Sequence, residues 1–203
     1  MRLGLGSTIA RRRPLLGGLV PVPEGVTEHD LLTFSNGAVN GTDPLDTSPS
    51  PEGAVFDVDD IVTLPSVAPT YLAVVAQTTV VPTGSGCLFT DGGAKYVGLF
   101  NSTATAVIDS SAGTPTIYAN GVVATTRADL LTPLREGYAF VEAVGVDLNG
   151  WAQLLLNGRA SNFRFEGTMC AVWTAAATPD RAAVHARAES LLAERGVSIP
   201  ALP

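Results

Sequence analysis

The run YLAVVAQTTVV at residues 71–81 decides the fold. It is rich in Val, Thr and aliphatic side chains, which fit the pleated surface of a β-sheet. It lacks the strict alternation of apolar and polar residues that marks a strand with one face in water. We therefore expect residues 71–81 to form a central strand that is buried on both faces.

Short β-favouring runs separated by turn residues lie on both sides of this strand. Three of the turns are the pairs Asn120-Gly121, Asn149-Gly150 and Asn157-Gly158. Asn-Gly between β-formers is a strong hairpin signal, because a type I′ turn needs two residues at positive φ. About eleven short strands at near-regular spacing predict an antiparallel sandwich or barrel. Within this pattern, residues 31–34 are predicted as the first strand, 104–108 as a further strand and 127–134 as a polar loop.

The periodicity changes near the C-terminal end of the chain. Residues 179–195 are predicted to form one terminal α-helix, with Thr178 as its N-cap and Pro179 at its first position. Gly196 ends it. The apolar stripe expected to face the sheet consists of Val184, Ala188, Leu191 and Leu192.

Charge and composition exclude several classes of protein. The formal net charge is -7 and the pI is about 4.7, so nucleic acid is disfavoured as a partner. No apolar run reaches the roughly 18 residues of a membrane-spanning helix. Cys87 and Cys170 have no zinc-ligand spacing, and we expect two small buried apolar side chains. Their disulfide state stays open.

The first twenty residues, MRLGLGSTIARRRPLLGGLV, differ from the rest of the chain. They hold four of the 12 Lys and Arg residues. An export signal places its charges before its apolar core, and the order here is reversed. A disordered tail is the alternative to a docking arm. We predict an arm at residues 1–23 that lies along a neighbouring subunit, and a domain at 24–203. The anchors would be Leu3, Leu5 and Ile9, and the charged residues Arg2, Arg11, Arg12 and Arg13.

The C-terminal half resembles a known family in its succession of motifs. These are the hairpin YANGV from Tyr118, the strand of residues 138–146, the Asn-Gly turns, and FEGTMCAVW from Phe165 before the helix. The succession resembles that of laminin-G-like, concanavalin A-like jelly-roll domains of tailed-phage virion proteins. The opening MRLGLG is similar to the leading peptide of small phage structural proteins.

The resemblance implies two packed antiparallel sheets. The expected fold is therefore all-β, an antiparallel two-sheet jelly-roll sandwich, together with the extended N-terminal arm and the one C-terminal α-helix predicted from the residues above. It implies a non-enzymatic virion protein, assembled in the host cytoplasm on head or tail. Its partners would be other virion proteins, copies of itself and host surface glycan. A free or secreted lectin and a polysaccharide hydrolase are the alternatives.

Candidate site residues are few. The carboxylate triplet of concanavalin-like glycosidases is missing, and Glu142 and Asp147 are predicted to be solvated charges, so no catalytic residue and no cofactor is expected. Trp151, Tyr138 and Tyr118 are candidates for glycan binding, although aromatic residues in strands are more often part of the core. Asp57 and Asp59 are weak candidates for a calcium site, against a solvated strand end.

Overall fold

The part of the chain that the structure describes folds into two β-sheets and two helices. The structure, a computed structural model, describes residues 18–41, 47–57, 59–65, 68–108, 110–157 and 165–203. In chain order its elements are β1 (Val26–Asp30), β2 (Val39–Asn40), β3 (Ser48–Pro49), β4 (Ala54–Phe56), β5 (Ile61–Leu64), β6 (Tyr71–Thr78), β7 (Phe89–Thr90), β8 (Tyr96–Val97), β9 (Thr116–Ala119), β10 (Val122–Val123), α1 (Arg127–Glu136), β11 (Ala139–Val144), β12 (Leu154–Asn157), β13 (Gly167–Ala175) and α2 (Arg181–Ala193).

All strand pairs in the two sheets are antiparallel. The large sheet has the order β10-β9-β11-β6-β13-β4-β3, and β1 also pairs with β13. The small sheet has the order β2-β5-β12-β7-β8. The predicted all-β sandwich with antiparallel sheets is confirmed at this level.

β6 is the central strand of the large sheet, and it is buried on both faces as predicted. It pairs with β11 on one side and with β13 on the other. Leu72, Val74 and Ala76 belong to the core between the two sheets. The alternate residues Tyr71, Ala73 and Val75 belong to a second core, which α2 covers. The molecule therefore has three layers, with the large sheet in the middle.

β13 contains an irregularity that shapes this second core. Its register against β6 shifts between Met169 and Ala171. A bulge places two successive residues where a regular strand has one, and both Cys170 and Ala171 lie in the core under α2. Both cysteines, Cys87 and Cys170, are buried, as predicted.

The hairpin at Asn120-Gly121 is confirmed. Asn120 has φ 50° and Gly121 has φ 79°, as a type I′ turn requires. The Asn120 side chain accepts a hydrogen bond from the Phe140 amide at 2.9 Å, which ties the turn to β11. The last two residues, Leu202 and Pro203, pack directly against Gly121.

The predicted first strand at residues 31–34 is wrong. The first strand is β1, and residues 31–34 form turns. The Asp30 carboxylate accepts the Leu32 amide at 2.8 Å, and this local bond bends the chain directly after β1. Residues 104–108 likewise form no strand, only an isolated bridge between Val107 and Thr126.

The prediction of a polar loop at 127–134, and of one helix in total, is also wrong. Residues Arg127–Glu136 form α1. Thr126 and Asp129 make a reciprocal capping box at its start, and the described buried side chains are Leu130, Leu131 and Leu134. Pro133 lies inside the helix and suggested a loop, but the three leucines hold the segment on the core.

α2 lies within the predicted range 179–195. Its N-cap is Asp180 rather than Thr178, and the Asp180 side chain accepts the amides of Ala182 and Ala183. The predicted stripe of Val184, Ala188, Leu191 and Leu192 is buried against the large sheet.

The contact between the hairpin turn and the C-terminal end predicts a measurable cost at Gly121. A Cβ there would lie 2.7 Å from Pro203 Cδ and 2.8 Å from Leu202 Cδ2. Gly25 has a similar φ of 73° with nothing within 4 Å, so Gly25→Ala carries the backbone strain alone. We expect Gly121→Ala to lower the free energy of unfolding by about 1 kcal/mol more than Gly25→Ala does in urea titrations. Equal losses in both variants would contradict the contact.

Candidate functional site

The chain enters the domain along α2, on the outer side of the large sheet. The Val20 amide donates to Ser190 Oγ at 3.0 Å, and Arg187 Nη1 donates to the Val20 carbonyl at 2.9 Å. The side chains of Leu19, Val20 and Val22 are exposed. The predicted arm residues all lie outside the described residues: Arg2, Leu3, Leu5, Ile9, Arg11, Arg12 and Arg13.

Arg187 is held by a buried carboxylate on β1. Its Nε lies 2.7 Å from Glu28 Oε2 and its Nη2 lies 2.7 Å from Glu28 Oε1, a bidentate pair. The Trp173 indole also donates to Glu28 Oε2 at 2.9 Å. Hydrogen bonding to Glu28 raises the pKa of Arg187, which therefore stays charged. One pair thus joins α2, β1, β13 and the entering chain.

A second pair joins the start of α2 to β11. Arg181 Nε and Nη2 donate to the two carboxylate oxygens of Glu142 at 2.9 and 2.7 Å. The Tyr71 hydroxyl donates to Glu142 Oε1 at 2.9 Å, and burial, together with the Glu142 charge, raises the pKa of Tyr71 well above its ordinary value. The prediction that Glu142 is a solvated charge is wrong, since it is 0% exposed and lies beneath α2. Asp147 is exposed, as predicted.

A third pair follows the C-terminal end of α2. Arg195 Nη2 lies 2.6 Å from Asp30 Oδ2, and Arg195 Nη1 donates to the carbonyls of Glu52 and Cys170. We call the three pairs Arg181–Glu142, Arg187–Glu28 and Arg195–Asp30 the α2 clamp.

Burial raises the pKa of the nearby Cys170 thiol to about 12, so this cysteine is a packed thiol and not a thiolate at neutral pH.

The three glycan candidates lie in different surroundings. The Arg181 guanidinium stacks 3.6 Å from the centroid of the Tyr118 ring, so one face of that ring is taken by the clamp. Tyr138 packs against the core under α2 and lines a pocket of about 380 Å³ with Asn120, Glu136 and Ser198. Trp151 packs against the other core, between the sheets. The structure therefore does not bring Trp151 together with the tyrosines, and glycan binding stays a prediction.

The calcium candidates Asp57 and Asp59 follow β4. Both are exposed, and the Asp57 amide donates to Asp60 Oδ2 at 2.7 Å. Across the described ranges, no group of three or more His, Cys, Asp or Glu side chains is placed to hold a metal ion.

His29 is a buried titratable group beside the clamp. It lies on β1 between Glu28 and Asp30, and its Nε2 lies 3.3 Å from Thr174 Oγ1. Its Nδ1 is buried and has no hydrogen-bond partner among the described residues. Burial lowers the pKa of His29 below 6.5.

Comparison with protein-family models, with curated proteins and with solved structures finds no match to this chain. In the part of the chain that the structure describes, neither helix is long and apolar enough to cross a membrane.

Sequence reasoning missed the clamp, although two signals for it exist. Glu142 is the single charge in the strand sequence AFVEAV, where its neighbours predict burial and hence a partner. Arg181, at the start of α2, and Arg195, two residues after its end, continue the spacing of the apolar stripe at Val184, Ala188 and Leu191, so they face the sheet. A buried acidic residue, together with a helix whose apolar stripe has a basic residue at each end, predicts an ion pair between them.

Removing both partners of the Arg181–Glu142 pair should cost less than the sum of the two single losses. Arg181→Met leaves the Glu142 carboxylate buried without its cation, and we expect a loss of about 2–3 kcal/mol. The side chain of Arg181 is 27% exposed, which holds the loss below that of a fully buried pair. The double variant Arg181→Met/Glu142→Leu should lose less than the sum of its single variants. Arg135→Met, on the exposed last turn of α1, is the control and should change stability by less than about 0.5 kcal/mol. Additive losses would show that the pair contributes nothing.

His29 should make the domain less stable in mild acid. Its pKa in the folded state lies below the unfolded value of 6.5, so the unfolded state binds more protons as the pH falls. Stability is therefore fully present above that value and is lost as the pH falls through 6.5 toward the folded pKa. We expect the thermal midpoint to fall between about pH 7.5 and about pH 5.5, and to fall less in His29→Gln. The same slope in both proteins would contradict this assignment.

Proposed function

We propose that this chain is a non-enzymatic structural or display protein of a tailed-phage virion, anchored to the head or tail by its N-terminal arm. The anchored entry of the chain carries the proposal. Val20 is bonded to α2 through Ser190 and Arg187, and Arg187 is bonded in turn to Glu28 in the core. An arm that docks on another protein needs such a fixed attachment to its own domain. Otherwise, force on the arm would pull the first strand away from the sheet.

The order of the strands supports a jelly roll as the finer description of the sandwich. Along the chain, β4 lies in the large sheet, β5 in the small sheet, β6 again in the large sheet, and β7 and β8 in the small sheet. β12 and β13 repeat this exchange. Repeated crossing between two antiparallel sheets is the connectivity that jelly rolls and Greek-key sandwiches use.

The buried charges support a structural role. Glu28 and Glu142 are the buried glutamates of the described chain, and each bonds an arginine of α2. Both carboxylates therefore hold α2 against the large sheet.

A free or secreted lectin is the second candidate, and the pocket at Tyr138 favours it. An aromatic ring beside the polar side chains of Asn120, Glu136 and Ser198 is a combination that sugars bind. Binding of the full chain to a glycan array, with no copies found in purified particles, would support this candidate over the first.

Loss of the arm should prevent incorporation into particles. We expect the full chain to be found by mass spectrometry in purified particles, and a chain without residues 1–17 to be incorporated at least about tenfold less, since about 1.4 kcal/mol of lost docking energy suffices. Leu3→Ser/Leu5→Ser/Ile9→Ser should reproduce the loss.

Leu15→Ser/Leu16→Ser is the matched control, because it removes two leucines of the same segment that are not predicted anchors. Undiminished incorporation of the shortened chain would overturn the proposal. So would a full chain that is missing from the particles.

A further inference from the structure

Five Asn-Gly pairs lie along the chain, beginning at Asn36, Asn40, Asn120, Asn149 and Asn157. Asn-Gly is the dipeptide that loses its side-chain amide most readily, because glycine has no Cβ to keep its backbone nitrogen away from the side-chain carbonyl carbon of the asparagine. The reaction also needs an asparagine side chain that is able to rotate toward that nitrogen. Hydrogen bonds to the side chain oppose this rotation, so the fold decides which of the five pairs reacts.

Two of the asparagines hold the backbone of the core. Asn157 is 0% exposed, its Nδ2 donates to two backbone carbonyls at 3.1 and 3.0 Å, and its Oδ1 accepts the Phe165 amide at 3.0 Å. Asn120 Oδ1 accepts the Phe140 amide at 2.9 Å. Rotation of either side chain would leave a backbone group of the interior without its partner, which is costly. Both side-chain amides are therefore protected by the fold.

Two further asparagines are held closer to the surface. Asn36 is exposed, but its Nδ2 donates to the Glu28 carbonyl at 2.6 Å. Asn40 Oδ1 accepts the amide and the hydroxyl of Thr47, each at 3.0 Å. The Gly41 amide, which would be the attacking nitrogen after Asn40, donates to a backbone carbonyl on β5 at 3.0 Å. These two pairs are also restrained in the folded chain.

The remaining pair, Asn149-Gly150, is exposed in the connection from β11 to β12. Its two residues are the centre of a turn that the Trp151 amide closes by donating to the Leu148 carbonyl at 3.0 Å. The Asn149 amide donates to Asp147 Oδ1 at 2.9 Å, but the Asn149 side chain has no hydrogen bond to any described residue. The Gly150 amide has none to them either. Both reacting groups are therefore open to water and to each other.

We propose that Asn149 is a site of spontaneous covalent modification, at which water converts the side-chain amide into an acid through a cyclic imide with Gly150. Hydroxide removes the Gly150 amide proton, the nitrogen attacks Asn149 Cγ, and the Cγ–Nδ2 bond breaks. The leaving nitrogen takes a proton from water and departs as ammonia. A second water then opens the imide, adding its hydroxyl group to one carbonyl carbon and its proton to the ring nitrogen. Opening at Cγ gives aspartate, and opening at the backbone carbonyl gives isoaspartate.

The modification changes both the charge and the shape of this turn. Either product adds one negative charge, next to the Lys95 ammonium, which donates to the Gly150 carbonyl. Isoaspartate also lengthens the backbone of the turn by one atom, directly before Trp151, which packs against the core between the sheets. We therefore expect the environment of the Trp151 ring to change as isoaspartate forms. The inference does not depend on the proposed function, since it concerns this turn and not the arm.

Ageing of the purified full chain in warm, mildly alkaline buffer tests the assignment. Peptide mass spectrometry, with fragment masses that locate each new acid, should show conversion at Asn149 at least about tenfold faster than at the other four asparagines. Each of those must first break its hydrogen bonds. The same chain in urea is the matched control, because unfolding releases all five pairs and their rates should become similar.

Two variants test the site in the native protein. On ageing, the native chain should acquire a more acidic form in isoelectric focusing together with a change in tryptophan fluorescence, and Asn149→Gln should show neither, because a six-membered imide forms far more slowly. Asn149→Asp should focus at the position of the acidic form from the start. Conversion at Asn149 no faster than at the other four asparagines of the folded chain would overturn the inference. So would equal growth of the acidic form in Asn149→Gln.

Discussion

The bidentate pair between Arg187 and Glu28 is the contact on which the arrangement of the outer layer depends. It joins α2 to β1, the Trp173 indole joins the same carboxylate from β13, and the remaining guanidinium nitrogen holds the Val20 carbonyl. A buried carboxylate without a cation costs several kcal/mol. If α2 moved away from Glu28, the carboxylate would be left buried without a cation or would be exposed to water. β1 and the entering chain must therefore move together with the helix.

This connection also fixes the chain where the described residues begin. The backbone at Val20 is bonded to α2 at both its amide and its carbonyl. β1, which follows a few residues later, is paired with β13 along its whole length. The first described residues thus have a position that the core sets.

The strands and hairpins follow from local sequence, and the polar contacts under α2 do not. The run at 71–81 and the turn at Asn120-Gly121 were predictable because burial and positive φ leave direct traces in residue type. α1 was missed because Pro133 and a polar composition suggest a loop, whereas three leucines and a capping box decide the conformation. The partner of Glu142 lies 39 positions away along the chain, and only the packing of α2 on the sheet brings the two together.

The three arginine–carboxylate pairs also explain why α2 has one position on the sheet. Its apolar stripe is made largely of small and aliphatic side chains, which would tolerate a shift of one turn along the helix axis. Arg181, Arg187 and Arg195 reach three carboxylates on different parts of the sheet, and a shift of one turn, about 5.4 Å, would break all three pairs at once. Each pair alone adds little net stability after desolvation, but together they select one register. A fixed register also fixes the place of Val20, which is bonded to α2 through Ser190 and Arg187.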